Sequence, residues 1–278
     1  MAGDGVVSSV SGASTTVGPS LWARLTGSVF LVKLTFGVVI LGLWEVGVRN
    51  FAAPFVARPS RIAEVFPTVI VDPAYWDATW STLSAVIIGL AIAMVFGTLI
   101  GLLMGRVKTA DRMLDFYVNG FYAMPMIAAL PLLTVWFGYS EEARLATVVF
   151  AALFSVIINV SDGARSVPRE YLEVATAYRA NRRSVWFDIT LMSALPYLIA
   201  GVRLAAGRAL VGAVLAEIFA SVEGQGMYIL ANARGLLQNE AVVGVLMLAA
   251  FGLGFDALMN AVLRKWFPWY RRDGGKGN

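Results

Sequence analysis

The chain has 278 residues, of which 58% are hydrophobic and only 14% charged, and its net charge is +4. Soluble domains carry roughly a quarter charged residues, so this composition excludes an ordinary soluble domain and indicates lipid as the solvent. The sequence contains neither His nor Cys, which excludes His-based triads, Cys nucleophiles, thiolate metal sites and disulfide bonds. The basic residues lie in particular loops, a pattern typical of membrane topology rather than of nucleic-acid binding.

Several apolar runs reach the ~20 residues that an α-helix needs to cross the hydrocarbon core of a bilayer. Because a helix satisfies its own backbone hydrogen bonds in lipid, these runs predict an all-α integral membrane protein with about six transmembrane helices. The predicted spans are 28–48, 78–105, 116–137, 143–161, 190–219 and 240–263. Residues 1–20 are predicted to be a disordered cytoplasmic tail, 21–270 the transmembrane domain and 271–278 a second cytoplasmic tail.

The segments between the spans differ in charge. Residues 49–77 carry four prolines, with a short surface helix predicted near Ser60–Val71. The other connections are a charged loop at 106–115, an acidic turn at 138–142, a polar stretch at 162–187 and a loop at 220–239. Lys and Arg concentrate in the first and third of these and in the C-terminal tail. Since Lys and Arg accumulate on the cytoplasmic side, both termini are predicted to be cytoplasmic.

Small residues recur at every fourth position in two spans. The second span carries Gly89, Ala93, Gly97, Gly101 and Gly105, and the fifth carries Gly201, Ala205, Ala209 and Ala213. Such stripes let helix backbones approach closely, since lipid provides no hydrophobic drive for helix association. The stripe of the second span predicts packing within one subunit; a subunit interface or the lining of a pathway is the alternative.

Three charged residues, Arg203, Arg208 and Glu217, lie within or near the fifth span. A charge near the bilayer centre costs at least ~3 kcal/mol, so these side chains should face protein or water. They either pair with neighbouring helices or belong to a translocation path or gate, and Arg203 is expected to extend toward the cytoplasm. The sixth span carries Asp256, Asn260 and Arg264 at every fourth position. That spacing predicts pairing within the helix.

Met124, Pro125 and Pro131 interrupt the third span. Proline removes a backbone donor and leaves nearby carbonyl groups free. Because broken helices in transporters often line cavities, these residues are candidates for a translocation path. A simple kink against a neighbouring helix is the alternative.

The polar stretch carries a recognisable motif. From Arg165 the sequence is RSVPREYLEVATAYRANRRSVWFDITLMSALPYLIAGVRL. Pro168 can open a helix that Glu170 and Glu173 favour in its first turns. This stretch resembles the EAA loop of ABC importer permeases, a Glu-Ala-Ala, three residues, a Gly and then a hydrophobic-x-Leu-Pro. Glu173 and Ala175 match that pattern, whereas Arg179 stands where the family has Gly, and Met192 replaces the Pro.

Other segments resemble the nitrate/sulfonate/taurine-type branch of this family. They are MPMIAALPLLTVWFGYSEEA (Met124–Ala143), GVRLAAGRALVGAVLAEIF (Gly201–Phe219) and ARPSRIAEVF (Ala57–Phe66). The resemblance covers about residues 40–270.

The resemblance implies a membrane subunit rather than an enzyme. Two such subunits, expected to be identical, would form the path in the cell (inner or plasma) membrane. A dimer of ABC ATPase subunits would bind a cytoplasmic coupling helix between spans four and five, and a periplasmic or lipid-anchored solute-binding protein would deliver the solute. The coupling residues it implies are Glu170, Glu173, Ala175, Arg179 and Ala180.

The sequence contains no G-x-x-x-x-G-K-[ST] phosphate loop, so ATP is expected to be bound by the partner and no cofactor by this chain. The branch moves small organic or inorganic anions, and also some pyrimidine vitamin precursors; the sequence does not separate these solutes. A stand-alone secondary transporter or channel is the alternative reading. It would need its own coupling residues at the midplane, often within inverted repeats, and the sequence shows no internal repeat.

Overall fold

The structure is a computed structural model that describes residues 29–53 and 55–266. These residues form helices without strands, so the predicted all-α class is confirmed. The chain divides into two compact units, Met1–Pro54 and Phe55–Asn278. The tails predicted at 1–20 and 271–278 lie outside the described residues.

The described part of the first unit is helix α1, Val29–Phe51, which corresponds to the first predicted span. Most of its side chains are apolar. Near its C-terminal end, Arg49 Nε donates to Glu45 Oε1 at 2.5 Å, a pair four residues apart that lies on one face of the helix.

The second unit contains the remaining helices in a continuous series. They are α2 (Pro59–Val71), α3 (Pro73–Arg106), α4 (Lys108–Ala123), α5 (Met126–Phe137), α6 (Glu141–Arg165), α7 (Arg169–Ala177), α8 (Arg182–Ser184), a π-helix (Val185–Leu191), α9 (Met192–Ala220), α10 (Gln225–Arg234) and α11 (Gln238–Trp266). Helix α2 confirms the predicted surface helix. Proline occupies the first position of α2 and α3, where no intrahelical donor is needed.

Within the described residues, five helical segments are long and apolar enough to cross a membrane: α1, α3, α6, α8 continued through α9, and α11. A sixth span arises if α4 and α5, which meet at a bend of 104°, are counted together. The prediction of about six transmembrane helices is therefore confirmed.

Helix α6 occupies the centre of the second unit, between α3 and α9. The glycine stripe of α3 faces it: a Cβ at Gly97 would lie 2.8 Å from the Val156 side chain, and a Cβ at Gly101 would lie 2.7 Å from the Ile157 carbonyl oxygen. From the other side, a Cβ at Gly201 of α9 would lie 2.8 Å from Asn159 Cβ. The prediction that the α3 stripe packs within one subunit is confirmed, because its glycines bring two backbones together.

Several predicted boundaries are wrong because the structure has helices in polar segments that were predicted to be loops. The charged loop predicted at 106–115 is the start of α4, separated from α3 by Val107 alone. Its Asp111 forms an ion pair with Arg165 at the end of α6, so these charges join two helices. The fifth span begins at Arg182 rather than at residue 190, and the loop predicted at 220–239 contains α10.

The third span is also different from the prediction. It is interrupted once, at Met124 and Pro125, whereas Pro131 lies inside α5. A proline in a helix removes one backbone hydrogen bond and need not end the helix. The Thr134 hydroxyl bonds the carbonyl oxygens of Leu130 and Pro131, at 3.1 and 3.0 Å, which ties this part of α5 together.

Candidate functional site

The break between α4 and α5 opens a cavity of about 380 Å³. Met124 and Pro125 are both extended, with ψ of 132° and 121°. This follows from the sequence, because the proline ring disfavours helical geometry at the residue before it. Helices α6 and α9 close the other sides of the cavity.

Most of the residues that line the cavity are aromatic or methionine. Phe121 stacks on Phe154 with ring centroids 5.5 Å apart, and Phe150 meets Phe154 edge-on at 5.2 Å. Met124 and Met126 line the side of the break. Such a surface favours apolar or flat groups, since thioethers and aromatic rings are polarisable and adapt to irregular shapes.

Arg208 of α9 supplies the charge of the cavity. Its guanidinium lies 3.8 Å from the centroid of the Tyr122 ring, and its Nη1 donates to the Tyr122 carbonyl oxygen at 3.3 Å. That carbonyl lies in the last turn of α4, where the break removes its normal helical partner. Arg208 forms no ion pair with any carboxylate in the described part of the chain. It is therefore a cation held in place without being neutralised.

Glu217, near the end of α9, lies away from this cavity in a buried polar cluster. Its side chain is fully buried. Thr82 Oγ1 of α3 donates to Glu217 Oε1 at 2.7 Å, the Gly226 amide of α10 donates to Oε2 at 2.8 Å, and Arg144 Nη1 of α6 approaches Oε1 at 3.3 Å. One carboxylate thus joins four helices.

The rest of this Glu217 cluster fixes the segment between α9 and α10. Arg144 Nη1 also donates to Ser81 Oγ at 2.9 Å and to the Glu223 carbonyl oxygen at 2.7 Å, and its Nη2 pairs with Glu141. The Gln225 amide donates to Thr82 Oγ1 at 2.8 Å. These contacts satisfy both Nη atoms of Arg144, whereas its buried Nε has no hydrogen-bond partner among the described residues. A buried charge needs such partners, because an unpaired one is strongly destabilising.

Arg203 is placed at another helix contact. It pairs bidentately with Asp256 of α11, with Nη2 to Oδ2 at 3.1 Å, and its Nη1 donates to Asn260 Oδ1 at 3.1 Å. Asn260 Nδ2 in turn donates to Asp256 Oδ2 at 3.0 Å, which confirms that part of the pairing predicted within the sixth span. The side chain of Arg264 lies outside the described residues. Within the described residues, Asp256 takes its cation from Arg203 of α9.

We expect Arg203→Ala to lower the free energy of unfolding by about 1–3 kcal/mol, because it leaves the Asp256 carboxylate in an apolar helix without a cation. The double variant Arg203→Ala/Asp256→Ala should recover part of that loss, since no charge is left unpaired. A double-mutant cycle measured by SDS titration in mixed micelles would check this. Additive losses would show that the two side chains do not stabilise each other.

Helix α7 presents an exposed surface. Glu170 and Glu173 are exposed and Ala175 is buried. Beside the two glutamates, Tyr171, Val174 and Tyr178 are also exposed, Tyr178 to 84%. An apolar and aromatic surface rimmed by carboxylates is typical of a protein-binding face.

The end of α7 explains the position at which Arg179 departs from the EAA pattern. The Ala180 amide donates to the Ala175 carbonyl at 2.8 Å and the Arg179 amide to the Thr176 carbonyl at 3.0 Å. These two bonds form a Schellman motif, whose residue after the cap adopts a left-handed conformation that favours Gly. Arg179 has φ 52° and is in that conformation. The family's Gly is therefore a backbone requirement that Arg179 meets at some cost in stability.

Residues 93–268, more than half of the chain, match the family described as binding-protein-dependent transport system inner membrane component. The chain belongs to this family.

Individual relatives cover most of the permease. The taurine transport system permease protein TauC of Escherichia coli K12 is 26% identical over 252 residues, covering 88% of this chain and 92% of the relative. The formylaminopyrimidine transport permease protein ThiX of Halalkalibacterium halodurans is 29% identical, covering 83% and 94%. The nitrate import permease protein NrtB of Leptolyngbya laminosa is 24% identical, covering 83% and 85%. These relatives are transport permeases and not enzymes, which confirms both the recognised family and the prediction that this chain is not an enzyme.

Solved structures show the same fold. A bacterial ABC transporter that imports the acidic polysaccharide alginate matches with a TM-score of 0.61 at 14% identity, over 89% of this chain and 99% of that one. The MetNI methionine ABC transporter in an inward-facing conformation matches with a TM-score of 0.57 at 18% identity, over 68% and 96%. The chain is thus the multi-pass membrane permease subunit of an ABC importer, and the stand-alone transporter reading is not favoured.

The structure brings together only some of the residues predicted for the translocation path. Met124 and Arg208 line one cavity, and Pro125 forms the break beside it. Pro131, Arg203 and Glu217 lie elsewhere, the latter two in contacts between helices. The sequence interpretation missed Phe150 and Phe154, although their spacing of four on a helix placed two rings on one face. It also missed Arg144 as the partner of Glu217.

We expect Arg179→Gly to stabilise the permease by about 1 kcal/mol, because Gly adopts positive φ without steric penalty. The matched control is Arg183→Gly, which also removes one exposed arginine from this segment but places Gly within a helix, where it should destabilise by a similar amount. Unfolding midpoints of the two variants in the same detergent should move in opposite directions. A loss of stability in Arg179→Gly would contradict the role assigned to the turn.

Proposed function

We propose that this permease carries a small anion along a path that includes the α4–α5 cavity. The observation that carries the proposal is Arg208, a cation in a membrane span that contacts a ring and a carbonyl oxygen and pairs with no carboxylate of the described residues. An uncompensated charge in a membrane span is expensive, and it is typical of a substrate pathway. The names of TauC and NrtB, a taurine and a nitrate permease, support an anionic group in the solute.

ATP is proposed to act through a partner ATPase that docks on α7 and the turn after it. Glu170 and Glu173 are exposed on this helix, whereas Ala175 is buried. Arg179 and Ala180 form the Schellman turn at its end. The segment then continues through α8 and the π-helix directly into α9. A force applied to α7 would therefore reach the helix that carries Arg208, as a two-state coupling mechanism requires.

The proposed topology places both termini and α7 in the cytoplasm and the Glu217 cluster at the opposite membrane surface, where a solute-binding protein would dock. Because the sequence has no Cys, a single cysteine at Thr176 or at Leu237 can be labelled without background. We expect a membrane-impermeant maleimide to label Leu237→Cys in intact cells and Thr176→Cys only after lysis. The reverse pattern would invert the topology.

The second permease of the complex is proposed to be another copy of this chain. Two differently tagged copies expressed together should then co-purify in mild detergent. If neither tag retains the other, the partner permease is a different protein.

Transport in proteoliposomes tests the function itself. The permease, its ATPase and its binding protein should together accumulate radiolabelled taurine or nitrate only when ATP is present on the ATPase side. Uptake by the permease alone, without ATP, would support the stand-alone transporter. Uptake of a neutral pyrimidine in place of taurine and nitrate would reject a solute with an anionic group while keeping the importer.

A further inference from the structure

The walls of the α4–α5 cavity carry information about the solute beyond its charge. Phe121, Phe150 and Phe154 meet as a cluster of rings, and Met124 and Met126 extend this surface to the break. Among the described residues that line the cavity, Arg208 alone carries a charge. An apolar wall with one cation complements a molecule that has an apolar body and one negative end.

The volume of the cavity points in the same direction. About 380 Å³ falls within the range of pockets that hold small organic ligands. An inorganic oxyanion would occupy a small part of this space and would leave the rings without contact. It would also lose hydration against an aromatic surface that returns no hydrogen bonds. An organic body replaces water there with favourable apolar contact.

Arg208 is prepared to bind the negative end. A guanidinium has five N–H donors, and the structure gives Arg208 one acceptor, the Tyr122 carbonyl oxygen at 3.3 Å. The contact with the Tyr122 ring holds the group in place at the same time. The donors that remain can bind two oxygens of one sulfonate or carboxylate in the bidentate manner that arginine favours.

We propose that this cavity selects an organic monoanion, a sulfonate or carboxylate on an apolar body about the size of a benzene ring, over an inorganic anion. Arg208 binds the anionic group and the Phe121–Phe150–Phe154 cluster contacts the body. This inference rests on the proposed function, because it assigns the solute class to the same path.

Equilibrium dialysis of the purified full-length permease in nanodiscs tests this selectivity. The labelled probe is 4-toluenesulfonate, and the competitors are nitrate and the neutral 4-toluenesulfonamide. Both competitors should bind at least about tenfold more weakly than the probe, because nitrate lacks the apolar body and 4-toluenesulfonamide lacks the negative charge. Nitrate competing as well as unlabelled 4-toluenesulfonate would overturn the inference.

Single substitutions test which residues bind the anionic group and which contact the apolar body. Arg208→Gln should weaken probe binding roughly 10- to 100-fold, as expected for the loss of a charged hydrogen-bonding group. Arg234→Gln, which removes an exposed charge on α10, should leave binding unchanged. Phe154→Leu should weaken the probe several-fold and leave nitrate binding as it is. If Arg208→Gln does not fold, Arg208→Lys, which keeps the charge and loses the planar fork, should bind the probe with intermediate affinity.

The outcomes separate this inference from the function on which it rests. Arg208-dependent binding of nitrate and 4-toluenesulfonate with equal affinity would reject the organic body and keep the anionic solute. Binding that does not depend on Arg208 would reject both. Neither outcome bears on whether the permease retains an ATPase.

Discussion

Glu217→Ala should be among the most destabilising single substitutions in the permease, with a loss of about 3–5 kcal/mol of unfolding free energy. The carboxylate is fully buried and accepts from Thr82, Gly226 and Arg144. Removing it leaves the buried Arg144 guanidinium without this counter-charge and the Gly226 amide without its acceptor, while the Thr82 hydroxyl keeps the Ala78 carbonyl oxygen at 3.3 Å. An unsatisfied buried donor adds a further penalty. Because these groups come from α3, α6 and α10, all three contacts with α9 weaken together.

The matched control is Glu64→Ala on α2. Glu64 has the same side chain, 58% exposed, in a surface pair with Arg61 at 2.7 Å, and such pairs contribute about 0–1 kcal/mol. SDS titration of both variants in mixed micelles should show a large shift of the unfolding midpoint for Glu217→Ala alone. Equal stability of the two variants would mean that the Glu217 cluster does not hold α3, α6, α9 and α10 together.

Gly101→Leu should separate α3 from α6 and lower stability by about 2–3 kcal/mol, the range seen for overpacked cores. A Cβ at this position would lie 2.7 Å from the Ile157 carbonyl oxygen and 2.8 Å from Val160 Cβ. The first of these atoms belongs to the backbone and cannot move aside by a change of rotamer. The helices must therefore shift apart, and the packing along the whole stripe is loosened.

The control for this variant is Gly254→Leu on α11, in the same unit as Gly101, where no described residue lies within 4 Å of the added Cβ. It introduces the same side chain in an apolar helix without a steric conflict. Thermal unfolding in detergent should show near-native stability for Gly254→Leu and a clear loss for Gly101→Leu. Near-native stability of Gly101→Leu would show that α3 and α6 are not packed as closely at this position as the structure indicates.

The spans were predictable because lipid imposes a single demand, an apolar helix of sufficient length. The glycine stripe of α3 was predictable for a related reason, since close helix packing in a membrane depends on small side chains at regular spacing. The break at Met124 and Pro125 followed from local backbone sterics. In each case the physical cause acts within a few residues of the chain or along one helix, where a sequence displays it directly.

The missed features depend on contacts between distant parts of the chain. Glu217 and Arg144 lie 73 residues apart, and no local pattern indicates which of several lone charges will meet. Helix α10 has only ten residues and begins directly after Gly224. The segment was therefore predicted to be a loop. Its formation depends on Gln225 and Gly226 donating to Thr82 and Glu217. The first turns of α4, residues 108–115, were predicted to be a loop because they are charged, and in the structure the Asp111–Arg165 pair joins them to α6.

Arg179 shows how a departure from a family pattern can be read physically. The sequence indicated only that Arg stands where the EAA loop has Gly. The structure shows that the turn keeps its Schellman geometry, with φ 52° at this position. The departure therefore changes the stability of the turn and not its shape, and α7 keeps the form that the family motif implies.

Co-purification of the tagged permease with its ATPase in mild detergent tests the central claim, that α7 is the surface through which ATP hydrolysis acts. Wild type and Glu64→Arg, which makes the same charge reversal on α2, should both retain the ATPase. Glu173→Arg should lose it, because the reversal falls on the exposed face of α7. If Glu173→Arg retains the ATPase as well as wild type does, the coupling surface lies elsewhere and the claim is wrong.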